Sequence, residues 1–295
     1  MQFEQKRAEK QQPERRGIKK GLYLIPSLFT TANILMGFFS ITNALRAFQM
    51  IGIKDYARAA QLFDSAALFI GWAFVFDALD GRIARMTKTT TEIGVQFDSI
   101  ADVVTFGIAP AVLAYTWGYG SAFREGTDPH NLGWFLSFMF LMCGAFRLAR
   151  FNVQATRPRV LAEGTPKVDK KSFVGLPIPA AAALIASIIH FAPTPIIQYG
   201  QERAQLYGAL LMGLVAALGA LMVSTLRYSS FKSVGTHRRS TRMMILAIGT
   251  VGMLIWLYSR YALLAIVTAY VSQGIVFRIG ALFRRRPQDK AATTA

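Results

Sequence analysis

Cysteine, histidine and acidic side chains are scarce in this 295-residue sequence, which holds one Cys, three His, and 16 Asp and Glu against 33 Lys and Arg. The single thiol, Cys143, excludes a disulfide within the chain, and its apolar neighbours mark it as a small buried packing residue. His130 and His237 fall in predicted loops on opposite sides, and His190 near the outer end of a predicted span. None of the three has a ligand partner at useful spacing, so all read as ordinary surface or interface residues. The shortage of acid leaves a net charge of +17. A nucleic-acid binder could be that basic, but it would not also be 53% hydrophobic with many apolar runs long enough to cross a bilayer. The charge therefore belongs to membrane topology and attraction to anionic lipid, and no nucleic-acid partner is expected. The first 20 residues are too long and polar for a secretory signal, and no repeat of soluble-domain type is found.

Eight apolar spans are expected, at about residues 22–45, 60–79, 95–117, 132–151, 174–193, 205–226, 242–258 and 261–280. Basic residues collect in cytoplasmic loops. With the N-terminus in the cytoplasm, 27 of the 33 Lys and Arg fall on that side, and only Arg46, Lys54, Arg58, Arg124, Arg203 and Arg260 on the other. This asymmetry predicts a multi-pass protein of the plasma (inner) membrane with both termini cytoplasmic. Residues 1–20 are expected to be a basic cytoplasmic tail, 21–283 a transmembrane catalytic domain and 284–295 a second cytoplasmic tail. Tyr23, Trp117, Trp134 and Tyr261, near span ends, read as interfacial anchors.

What is present, against this apolar background, is the stretch Asp77-x2-Asp80-Gly81-x2-Ala84-Arg85-x8-Gly94-x3-Asp98-x3-Asp102. A carboxylate at the centre of a spanning helix costs roughly 2.5 to 3.5 kcal/mol, so four approach ~10 kcal/mol unless something compensates. Asp77 and Asp80 are three residues apart and Asp98 and Asp102 four, so each pair shares a helix face. The polar segment Thr87–Glu92 breaks the two helices, with Thr89 and Glu92 spaced as a capping box, and an antiparallel pair joined there brings all four acids together near the cytoplasmic surface. Gly81 and Gly94 permit close approach of a ligand or backbone. Hard oxygen donors without His or Cys favour Mg²⁺ or Mn²⁺ over zinc. Four carboxylates exceed the needs of one hydrated ion, which points to two ions bridging a diphosphate, with Arg85 as a cation for phosphate oxygens. Arg82 and Arg85 are too few to neutralise four acids as a purely structural set, and no other acid is expected within the core of a span.

The eight fixed identities of this stretch resemble the signature of the CDP-alcohol phosphotransferase family, integral membrane enzymes that transfer a phosphoryl-linked group from a CDP-linked donor to an alcohol and release CMP. The match has no substitution at any fixed position. The resemblance implies an all-α integral membrane protein and a homodimer. It further implies that Asp77, Asp80 and Asp98 hold the metals, while Asp102 touches metal and acts as general base; Asp98 and Asp102 are the expected catalytic pair. Gly81, Ala84 and Arg85 are implied at the cytidine and diphosphate site, and Thr91 falls where a small hydroxyl residue often stands near the phosphates. Upstream, Pro26-x3-Thr30-x2-Asn33-x3-Gly37 resembles the first helix of the same family, which places Asn33 and Thr30 beside the nucleotide; helix–helix contact is the competing reading.

Downstream lie Phe146-Arg147-Leu148-Ala149-Arg150-Phe151-Asn152 and Phe173-Val174-Gly175-Leu176-Pro177-Ile178-Pro179-Ala180-Ala181-Ala182, where Pro177 and Pro179 suit a helix start. Together these segments resemble the integral-membrane branch that makes phosphatidylserine, which implies CDP-diacylglycerol and L-serine as substrates. Arg147 or Arg150, with Lys171 as a further candidate, is then expected to bind the serine carboxylate, with Asn152 alongside; snorkelling arginines are the competing reading. Another acceptor (glycerol phosphate, inositol phosphate) or an ether-linked donor remains open within the family. A cation-coupled transporter is the alternative outside it, weakened by the lack of a second broken polar segment.

Overall fold

The computed structural model describes residues 16–87, 92–156, 172–229 and 241–284. Among them, helices dominate: α1 (Arg16–Gly52), α2 (Tyr56–Thr87), α3 (Glu92–Asp102), α4 (Ala109–Ala114), α5 (Gly120–Ala122), α6 (Asp128–Thr156), α7 (Ile178–Phe191), α8 (Gln201–Val223), α9 (Thr241–Leu257) and α10 (Ser259–Arg284). α3, α4 and α5 form one rod, joined through the wide π-helical turns Val103–Ile108 and Tyr115–Tyr119. Eight helical rods thus stand where eight apolar segments are predicted. Five are long and apolar enough to cross a membrane: Leu28–Gly52, Tyr56–Ile83, Ile93–Ala122, Asp128–Val153 and Gln201–Val223. The protein is therefore multi-pass and all-helical in its spans, while a crossing count of eight is not established by helix length, since α7 has 14 residues.

α1 and α2 lie against each other along most of their length. Their contact is lined by small residues at helical spacing, Ser40, Ala44 and Ala47 on one side and Ala59, Ala66 and Ala73 on the other, all fully buried. In lipid, where helices gain nothing by hiding apolar area from one another, such residues let backbones approach and dispersion forces act. The turn between the two helices places Lys54 at φ 61°, and Asp55 caps α2 by accepting the Arg58 amide at 3.0 Å. α7 is apolar all round and buried from Ile178 to Ile189, the pattern of a helix surrounded by others.

The helix predicted at 174–193 begins only at Ile178, and the one predicted at 205–226 ends at Val223, just short of a strand. Residues 172–174 and 227–229 form β1 (Ser172–Val174) and β2 (Arg227–Ser229), an antiparallel pair with Phe173 opposite Tyr228. Gly175 follows at φ +83°, and a Cβ there would lie 2.4 Å from the Met222 carbonyl oxygen, so only glycine fits. Pro177 then occupies the N-cap of α7 with Pro179 in its first turn, as the sequence predicts. In the third rod, Pro110 offers no amide to the carbonyl four residues back and its ring crowds that turn; the wide turn ending at Ile108 absorbs both effects.

Three sequence expectations change. Trp117 is not a lipid-facing anchor: it is buried and donates its indole N–H to the Thr194 carbonyl at 3.0 Å. Trp134 and Tyr261 are exposed on their helices, as anchors should be. Cys143 is half-buried, beside Gly219, and not fully enclosed. The largest change concerns His190, which has partners after all. Its Nδ1 lies 2.6 Å from Asp64 Oδ1 and its Nε2 2.9 Å from Ser259 Oγ, so one imidazole fastens α2, α7 and α10 together. Arg260 approaches the other Asp64 oxygen at 3.8 Å. Asp64 is thus an acid within a span, where the sequence pattern led us to expect none beyond the cluster of four.

Candidate active site

The last turns of α2 and the short α3 carry the four acids. Both segments are helical because their residues are mostly apolar or good helix formers, and their polar positions recur every three or four residues, on one face. One oxygen each of Asp77, Asp98 and Asp102 lies within 4.8 Å of the other two. Asp80 stands beside this trio and is treated differently by its surroundings. It is buried, and its Oδ2 accepts a hydrogen bond from the Thr30 hydroxyl on α1.

Two further oxygens of the site are undersatisfied. Asp80 Oδ1 and Asp102 Oδ1 are buried without a hydrogen-bond partner, and among the residues whose side chains are described, which do not include Arg85, no Lys or Arg forms an ion pair with any of the four acids. Buried carboxyl oxygens rarely go unpaired, because desolvation without a partner costs a few kcal/mol. Three converging carboxylates, with an orphaned oxygen on Asp102 and another on the adjacent Asp80 and no imidazole or thiol among them, are a donor set suited to a hard divalent cation.

Asn33 is fully buried one turn along α1 from Thr30, and neither its Oδ1 nor its Nδ2 has a partner. It therefore presents both a donor and an acceptor to whatever fills the adjoining space. Gly81 and Gly94 are exposed, as is Arg82; Ala84 and Arg85 lie on the α2 backbone near its C-terminal end. Thr89, Thr91 and Lys171 lie outside the described residues.

The two arginines of α6 part company. Arg147 is half-buried, close enough to Asp102 and to Tyr270 of α10 for its charge to act on both, and its Nε is buried without a partner. Arg150 is exposed. Asn152 spends part of its amide on Ser99, one residue from Asp98, with Nδ2 2.8 Å from Ser99 Oγ, so it ties α6 to α3. Tyr270 is not identifiable from sequence, because an isolated tyrosine in an apolar span carries no local signal; only the long-range packing of α10 brings it near Arg147.

The chain belongs to the CDP-alcohol phosphatidyltransferase family, whose model matches residues 23–221 and so takes in α2, α3 and α6, which carry the acids and Arg147. Among curated proteins it is 36% identical over 219 residues to a Helicobacter pylori protein named CDP-diacylglycerol–serine O-phosphatidyltransferase, covering 72% of this chain and 75% of that one. Proteins of the same name from Saccharomyces cerevisiae (36% identical, 55% of this chain and 51% of that one) and Methanocaldococcus jannaschii (32% identical, 62% and 76%) are also similar.

Proposed function

We propose that this protein transfers the phosphatidyl group of CDP-diacylglycerol to the hydroxyl of L-serine, giving phosphatidylserine and CMP. The observation that carries the proposal is the juxtaposition, at one end of the bundle, of the Asp77–Asp98–Asp102 trio and the half-buried Arg147. The names of the relatives support serine as acceptor.

In this reading Asp77, Asp80, Asp98 and Asp102 hold Mg²⁺ or Mn²⁺, two ions for four carboxylates, and the metal supplies charge neutralisation for the diphosphate. Asn33, with Thr30, Gly81, Ala84, Arg85 and Thr91, contributes the nucleotide and diphosphate site. Arg147 receives the serine carboxylate, for which a guanidinium is the fitting fork-shaped donor. Asp102, on the same side as Arg147, takes the proton of the serine hydroxyl. That oxygen attacks the phosphorus bearing the diacylglycerol, and the bond from this phosphorus to the bridging oxygen breaks, so CMP leaves with the electron pair. Holding the alcohol in line with the departing group supplies much of the acceleration. Arg150 and Lys171 are the alternative cations for the serine carboxylate, and Asn152 braces α6 against α3.

The charge asymmetry supports a cytoplasmic active site in the plasma (inner) membrane with both termini on that side; residues 21–283 are the catalytic unit in this reading, and pairing as a homodimer follows from the family resemblance alone. The test is CMP release by purified protein in mixed micelles of CDP-diacylglycerol, with Mn²⁺ or Mg²⁺ and a panel of alcohols. Serine alone should drive release; strong release with glycerol 3-phosphate or inositol phosphate, and none with serine, would replace the acceptor.

A further inference from the structure

Most hydroxyls with hydrogen bonds inside the rods bond within their own helix: Thr42 to Phe38, Ser65 to Gln61, Ser99 to Val95 and Thr116 to Val112, all at carbonyls four residues back. That is the default for Ser and Thr in an apolar helix. Thr105 departs from it. Its Oγ1 crosses to α1 and donates to the Asn33 carbonyl at 3.1 Å, and the residue is fully buried.

The crossing is possible because the two backbones touch. A Cβ built on Gly37 would lie 2.5 Å from Thr105 Oγ1 and 3.0 Å from Thr105 Cα, so glycine at 37 and threonine at 105 are fitted to one another. Thr105 also sits inside the wide turn Val103–Ile108 that starts directly after Asp102. A π-turn offsets the helical register on its two sides, so the aim of Asp102 relative to the rest of the rod is set here. The same face of α1 carries Thr30, whose hydroxyl holds Asp80. One helix thus references both an acid of α2, through Thr30, and the turn beneath the last acid of α3, through Thr105.

We infer that Thr105 is a positioning residue for the transfer: its hydrogen bond to the Asn33 carbonyl locks the wide turn to α1 and so fixes the height and rotation of the Asp102 carboxylate against Asp77 and Asp98. The inference rests on the proposed reaction for its kinetic readout, and on the carboxylate cluster alone for its binding readout. Thr105 does not touch the substrates in this scheme; it acts through Asp102.

The experiment compares the full-length protein with Thr105→Val, which keeps the shape and loses the donor, and Thr105→Ser, which keeps the donor. Misplacing a reacting group by about 1 Å costs on the order of 100-fold. Thr105→Val should therefore lower kcat by roughly 10- to 100-fold, with KM for CDP-diacylglycerol and for serine each changed by less than about twofold. Thr105→Ser should recover most of the loss. Mn²⁺ binding, followed by electron paramagnetic resonance without substrates, should weaken in Thr105→Val and return in Thr105→Ser. A kcat for Thr105→Val close to the parent's, or a Thr105→Ser as slow as Thr105→Val, overturns the inference. Should the valine variant not fold, Thr105→Cys, a weaker donor of similar size, takes its place, and an undiminished kcat overturns the inference in the same way. If the parent protein releases no CMP with any acceptor, the proposed reaction fails, and the Mn²⁺ comparison decides the inference by itself.

Discussion

Replacing His190 with Ala removes the clasp that joins α2, α7 and α10. The side chain is only 6% exposed and makes two hydrogen bonds, at 2.6 Å to Asp64 and 2.9 Å to Ser259. Interhelical hydrogen bonds in membranes average ~0.6 kcal/mol and reach ~1.7 kcal/mol, so a charged acceptor at the upper end and a neutral one at the mean give about 2 kcal/mol. Arg260, at 3.8 Å and half exposed, restores little of this. For a chain of this size that loss lowers the Tm by about 3 to 4 °C. Ser259→Ala, which deletes only the neutral bond, should lower it by about 1 °C. The lone Cys143 provides the assay, since a thiol-reactive fluorophore reports its exposure as the protein unfolds. Asp64 lies 13 residues before Asp77 on α2, about 20 Å along the helix, so turnover at 25 °C should be preserved. An unchanged Tm for His190→Ala, or a loss no larger than that of Ser259→Ala, would refute the claim that one imidazole bridges three helices.

Other outcomes are expected at the site. Asp102→Asn or Asp98→Asn should abolish CMP release, by at least about 100-fold, while the protein inserts and purifies normally. Arg147→Gln should raise KM for serine by roughly 10-fold or more, with KM for CDP-diacylglycerol unaltered, whereas Arg150→Gln, at an exposed position, should do neither. In EDTA, Asp98→Asn should have a higher Tm than the parent protein, and saturating Mn²⁺ should narrow or reverse that difference; the same thiol-dye melt measures both.

The acidic pair spacings are legible in the sequence because helical periodicity is local: residues three and four apart must share a face, whatever the rest of the chain does. Pro177 and Pro179 announce the start of α7 for an equally local reason. Features set by contacts across the fold are not legible in this way. Asp64 and His190 are 126 residues apart, and nothing near either one signals the other. Trp117 matches the composition of a membrane anchor, yet packing turns it inward to reach Thr194, 77 residues away. The strands at 172–174 and 227–229 are three residues each, too short for alternation to show against an apolar background. Pro110 does carry a signal for the wide turn beside Asp102, since a proline inside an apolar span must disturb the ladder before it. That signal, one turn from Thr105, is the local trace of the contact with α1.

The site's four acids do not form one class, and the difference has an electrostatic origin. Three unit charges with oxygens within 4.8 Å repel one another by roughly 3 to 4 kcal/mol per pair even at an effective dielectric near 20. Among the residues whose side chains are described, none offers that trio a neutralising ion pair, and the Thr30 hydroxyl goes to Asp80 instead. A fold selected for stability alone would discard such an arrangement, since neutral or apolar residues on the same faces of α2 and α3 would remove the repulsion without loss of packing. In the proposed reaction that loss of stability keeps a strong field aimed at a cation, and α1 is the element that holds the field in shape: Thr30 restrains Asp80, Gly37 admits the third rod to backbone contact, and the Asn33 carbonyl receives Thr105.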